Sequence, residues 1–117
     1  MQYMLLLYAD ENLRAPMEPE AMKAMYGAYM AYTEALKQAG ALLQSGPLQP
    51  SATATTVRGD RPSLEVLSGP LSETKEQLAG FFLIDVDNVD AALGWAKRCP
   101  AVKGGAVEVR PLMQIRT

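Results

Sequence analysis

A single α+β domain of βαββαβ order, carrying an inserted β-hairpin, is predicted by three observations. Two short runs, 3–8 (YMLLLY) and 81–86 (FFLIDV), are apolar on both faces through most of their length, the pattern of strands buried on two sides. Each is followed by a segment with helical spacing of its apolar residues, and each helix is followed by a further strand-like run. The polar, proline-containing stretch 46–56 interrupts this order as an insertion and leaves the two halves intact. Without the hairpin, the order is that of the ferredoxin-like split βαβ arrangement, with runs 3–8 and 81–86 as central, parallel neighbours. Length agrees: 117 residues, 49% of them hydrophobic, supply one modest core, so residues 1–117 are read as one domain.

The elements follow in order. Residues 3–8 form the first strand, and 10–19, with Pro16 and Pro19, form a loop. Pro19 suits the first turn of a helix, where its missing N–H has no partner to lose. Met22, Met25, Tyr29, Tyr32 and Leu36 recur at helical spacing, and Gly40 offers a left-handed cap. Residues 41–45 read as a second strand, broken by Gly46 and Pro47. Residues 53–58 and 63–67 flank the turn 59–62 and make a hairpin with one wet face. Residues 72–77 form a polar connection with room for one helical turn. Asp87 is the expected N-cap of a second helix, whose apolar stripe is Val89, Ala92, Leu93 and Ala96 beside Trp95, and Pro100 ends it. Residues 106–113 form the last strand, which Pro111 confines to a sheet edge.

Composition excludes several kinds of function. The sequence has no histidine and one cysteine, so it holds no Ser-His-Asp or Cys-His catalysis, no His-ligated metal and no internal disulfide. Eleven basic against 13 acidic residues give a net charge of −2, which is no nucleic-acid surface. The leading apolar run ends at Asp10-Glu11 without a basic start, and no apolar run nears the ~20 residues of a membrane span, so a cytoplasmic protein without membrane contact is expected. No cofactor or metal motif is present.

Two helices cover one face of such a sheet. The other would leave about five large apolar side chains wet, so a second copy of the chain is the expected cover, in a two-fold homodimer.

The chain also resembles the YCII-related family, in the branch named for an Asp-Gly-Pro-Phe motif. The matching pieces are YMLL at 3–6, LQP at 48–50, ATATTVR at 52–58, SGPLSETKEQL at 68–78, FLIDV at 82–86, AKRCP at 96–100 and GAVEVRP at 105–111. The resemblance implies a dimeric α/β barrel of ferredoxin-like subunits, and links some members to sigma factors as regulatory or interaction modules. At the naming motif this chain has Ser68 and Leu71 in place of Asp and Phe, and the His-Asp chemistry proposed for some members has no histidine here.

The candidate pocket, placed between sheet and helices, comprises Tyr8, Asp10, Ser45, Ser68 and Glu73. Tyr8 and Asp10 end a central strand, where a phenol and a carboxylate can face a ligand; they equally suit a packed rim and the start of a turn. Ser68 stands at the altered motif, either as a ligand hydrogen-bonder or as part of a tight turn. Glu73 is the nearest acid to that motif and stands in for the lost carboxylate, or belongs with Lys75 and Glu76 to a solvated connection. Met17, Met22, Met25, Met30, Tyr26, Tyr29 and Tyr32 read first as core and second as a flexible apolar lining. Cys99 reads as an inert thiol, Glu108 and Arg110 as an ion pair on one strand face, and Arg58 and Arg61 as turn-flanking charges.

Overall fold

The computed structural model describes residues 1–14 and 18–115; Pro16 of the expected loop and Met17 of the methionine group lie outside the described residues. The elements are β1 (Gln2–Asp10), α1 (Glu11–Arg14), α2 (Pro19–Gln38), β2 (Leu42–Pro47), β3 (Thr55–Arg58), β4 (Glu65–Ser68), β5 (Glu76–Asp85), α3 (Val89–Arg98) and β6 (Gly105–Pro111). Short 3-10 turns occupy Ser51–Thr53 and Pro100–Val102. The main sheet has the order β2-β5-β1-β6, the ferredoxin-like arrangement, and β3-β4 form a separate two-stranded sheet.

The two apolar runs are central neighbours as expected, but they pair antiparallel: Gln2 opposes Asp85 and Leu6 opposes Phe81. The split βαβ topology itself requires this: β1 and β2, joined through α2, run the same way, and β5 returns between them against both. Between Leu7 and Tyr8 the register slips, leaving Ala79 of β5 as an extra residue beside the end of β1.

The core lies on one face only. Tyr3, Leu5 and Leu7 of β1 and Phe82 and Ile84 of β5 point toward Tyr32 and Leu36 of α2 and Ala92 and Ala96 of α3. Tyr32 packs edge-on to Phe82 with ring centroids 5.1 Å apart, and its hydroxyl donates to the Trp95 carbonyl at 2.7 Å. Burial pushes the Tyr32 hydroxyl well above its ordinary pKa, with neighbouring Cys99 acting in the same direction, and burial likewise raises the Cys99 thiol. Gly40 closes α2 in the left-handed region (φ 69°): its N–H reaches the Lys37 carbonyl and that of Ala41 reaches Leu36, the paired bonds of a Schellman cap.

Several local readings change. Asn88, not Asp87, caps α3: its backbone is extended and its side chain accepts the Ala91 N–H at 2.9 Å. β2 continues through Gly46 to Pro47, which an edge strand tolerates because its outward N–H has no partner. Glu11–Arg14 is a helical turn rather than loop, and no helix forms across 72–75. The hairpin is wet on both faces, since only Thr56 of its strand residues is half-buried. The methionine and tyrosine group is not uniformly core: Tyr32 is buried, Met25 and Tyr29 are half-buried, and Met22, Tyr26 and Met30 are exposed. Of the α3 stripe, only Ala92 and Ala96 are buried; Val89 and Leu93 face solvent. β6 lies at the edge, as Pro111 requires, and Arg110 pairs with Glu108 at 3.3 Å.

On the face away from the helices, Met4, Leu6 and Tyr8 of β1 stand beside Phe81 and Leu83 of β5, all half-buried. The molecule is flat, with extents of 48 × 47 × 18 Å and a radius of gyration of 16.2 Å. A compact chain of this length would have a radius of about 13 Å. No helix among the described residues is long and apolar enough to cross a membrane.

Candidate functional site

The two halves of α2 seat differently on the sheet. The C-terminal half carries Tyr32 and Leu36 into the core. The N-terminal half presents Ala21, Ala24 and Ala28 to the sheet, and these small side chains leave a chamber of about 520 Å³. Its walls include Leu7, Tyr8, Ala9 and Asp10 from β1, with Met25 and Tyr29 above and Lys103 at one side. Gly105 brings β6 against β1 here: a Cβ at that position would collide with the Tyr8 carbonyl oxygen.

Asp10 is 5% exposed, the one buried charged side chain among the described residues. Its Oδ1 accepts the Asn12 N–H at 3.0 Å, the bond of an N-cap to α1. Its Oδ2 lies 3.9 Å from the Lys75 ammonium. A carboxylate has about four lone-pair sites, so these contacts leave acceptor capacity for a ligand. Next to it, both Glu11 carboxylate oxygens accept from Ser51: its backbone N–H at 2.8 Å and its hydroxyl at 3.0 Å. This clamp ties the base of the insertion to the end of β1.

A second chamber of about 200 Å³ adjoins the first beneath α2, with Tyr26, Thr33, Ser45, Pro47, Phe81 and Phe82 in its lining. Leu7, Ala79, Met25 and Tyr29 belong to both. Its polar character is slight, because the Thr33 hydroxyl donates to the Tyr29 carbonyl at 2.7 Å.

Thus Tyr8 and Asp10 share the face of β1 that bears Met4 and Leu6, while Ser45, opposite Phe82, lies on the helix side in the smaller chamber. Glu73 lines a separate hollow with Glu11, Asn12 and Lys75. Ser68 sits at the end of β4 opposite Thr55 and lines none of these chambers. The turn beside it is secured by backbone: the Gly69 N–H reaches the Ala54 carbonyl at 2.7 Å, and the Thr56 hydroxyl reaches the Gly69 carbonyl at 2.8 Å. Sequence reasoning missed the Glu11 clamp and the Lys75–Asp10 contact. The latter follows from register, since Asp10 opposes Glu76 and so places Lys75 alongside. No group of three or more Cys, Asp or Glu able to hold a metal occurs among the described residues.

A four-stranded antiparallel sheet with both main helices on one face and a buried carboxylate at the end of a central strand defines a ferredoxin-like α+β protein. The chain belongs to the YCII-related family, whose domain it matches over residues 1–116. It is 35% identical over 114 residues to an uncharacterised protein of Rhizobium meliloti (strain 1021), covering 96% of this chain and 92% of the relative. Its fold is similar to that of the 5-chloro-2-hydroxyhydroquinone dehydrochlorinase of Burkholderia phenoliruptrix AC1100, solved in complex with 2,5-dihydroxybenzoquinone. That match has a TM-score of 0.55 at 16% identity and covers 97% of this chain and 94% of the other.

Proposed function

We propose that the chain binds a small hydroxylated ring compound on the face of the sheet away from the helices, between β1 and the insertion, where Asp10 accepts the ligand's hydroxyl and acts as proton acceptor in a cofactor-free reaction. One observation carries this reading: the nearly sealed Asp10 shares a strand face with Tyr8, which lines a hollow of about 570 Å³ against the insertion. Chambers of this size with one convergent polar group are the usual form of small-molecule sites. The ring compound in the dehydrochlorinase of similar fold supports the ligand class.

The active unit in this proposal is a homodimer. The half-buried face formed by Met4, Leu6, Tyr8, Phe81 and Leu83, on a slab 18 Å thick, is the surface a second copy would cover.

The test is thermal melting with 2,5-dihydroxybenzoquinone and hydroquinone. Either compound should raise the melting temperature of the wild type, because a ligand of the native state stabilises by mass action. Asp10→Asn retains an N-capping side chain and removes the charge, so it should melt close to wild type without ligand and lose the shift. Equal shifts in both proteins would refute the role of Asp10.

A further inference from the structure

We infer that the inserted hairpin, β3 and β4, is an arm that packs against a second copy of this chain through its Val57–Val66 face. This rests on the homodimer proposed above and names a further surface that holds it together.

The hairpin lacks a cover of its own. β3 and β4 pair with each other and with no strand of the main sheet. A lone two-stranded hairpin is marginal in water and gains its order by packing against something else.

Its two faces are unlike. Successive strand residues point to opposite sides, and the register sets Thr56 across from Leu67 and Val57 across from Val66. The Thr56 side turns toward its own chain, because Thr56 lines the hollow that also holds Tyr8, Pro70 and Leu71. The other side carries the opposed valines, with Val57 60% and Val66 69% exposed. Such β-branched cross-strand pairs stabilise a sheet when they are packed, and left wet they forgo the burial of both side chains.

Place selects the occupant. Since Thr56 shares a hollow with Tyr8, the arm stands beside the sheet face of Met4, Leu6, Tyr8, Phe81 and Leu83, the face assigned above to a second copy. A copy lying there borders the arm, and two-fold symmetry makes the contact reciprocal, each arm on the other chain. Size agrees: a slab of 48 × 47 Å offers well over the ~800 Å² per partner of a stable interface. Charge agrees too. Arg58 and Arg61 share the hairpin end with Asp60 and Glu65, so two copies of it meet without net repulsion.

Light scattering and hydrogen exchange test the inference. Val57→Thr combined with Val66→Thr keeps β-branched side chains on the exposed hairpin but puts hydroxyls into the contact. It should raise the dissociation constant of the two-copy wild type about tenfold or more, with the melting of the separated chain unchanged. A second measurement needs no variant: amides of residues 55–68 in the wild type should exchange faster once the protein is diluted below its dissociation midpoint. Hairpin exchange that is the same above and below the midpoint, or a dissociation constant that the paired substitution leaves unchanged, would overturn the arm and leave the homodimer standing. A one-copy mass for the wild type would overturn both.

Discussion

The two ends of α2 show how one helix both builds a core and leaves an open chamber. Toward its C-terminus Tyr32 and Leu36 fill the space between α2, α3 and the sheet, and no buried polar side-chain atom among the described residues lacks a partner. Toward its N-terminus Ala21, Ala24 and Ala28 take the corresponding place, and a chamber remains. The helix is continuous from Pro19 to Gln38, so the difference lies in side-chain volume rather than backbone. Leucine or tyrosine at the alanine positions would extend the core; alanine gives up that burial and keeps a space above Leu7 and Ala9.

Substitutions at the two ends should therefore have opposite readouts. Leu36→Ala, at a fully buried position, should cost about 2–5 kcal/mol in urea unfolding, through lost burial and a residual cavity. Glu11→Ala removes both contacts to Ser51 and should cost roughly 1.5–3 kcal/mol, with faster amide exchange at Ser51–Thr53 than in the wild type. If Leu36→Ala proved as mild as a surface change, the division between a filled and an open end would fail.

Alkaline pH sharpens the same contrast. Burial raises the folded-state pKa of Cys99, so the folded protein keeps its thiol proton where the unfolded chain releases it. The unfolded state then binds fewer protons, and stability declines as pH rises from about 8.5, the ordinary thiol value, toward the raised one; below about 8.5 the contribution is complete. Tyr32 adds the same trend above about 10. Melting temperatures between pH 7 and 10 should fall less steeply in Cys99→Ala than in the wild type, while a substitution in the open chamber should leave the slope unchanged.

The smallest expected effect is at the open end. Ala28→Leu, at an exposed position, should move stability by no more than about 0.5 kcal/mol in urea unfolding and leave the thermal shift given by a ligand at Asp10 unchanged. A separate prediction concerns the far face of the sheet: on the homodimer proposed above, the wild type should show a two-copy mass in light scattering at micromolar concentration and Leu6→Lys a one-copy mass.

Much of this architecture was legible from spacing. The doubly apolar runs became the two central strands, the alternation of Met25, Tyr29, Tyr32 and Leu36 gave the inward side of α2, and Pro111 marked an edge. Strand direction was misread because apolar periodicity does not record it: β1 and β2 share a direction through α2, and the strand lying between them runs against both. Of the candidate site, Tyr8 and Asp10 were legible as neighbours at the end of a buried strand, whereas Ser68 was chosen by its motif and lies in the hairpin. Met25 and Tyr29 read as core because a wall and a core residue share the same helical spacing; only the neighbouring alanines separate the two cases.

The strands at the two margins of the main sheet, β2 and β6, both end in proline: Pro47 and Pro111. A proline has no N–H to offer an incoming strand, and Glu108 and Arg110 add charge along β6. Growth into ribbons or fibres by strand addition is thereby opposed at both borders, which directs any self-association of this protein toward stacking that stops at a finite number of copies.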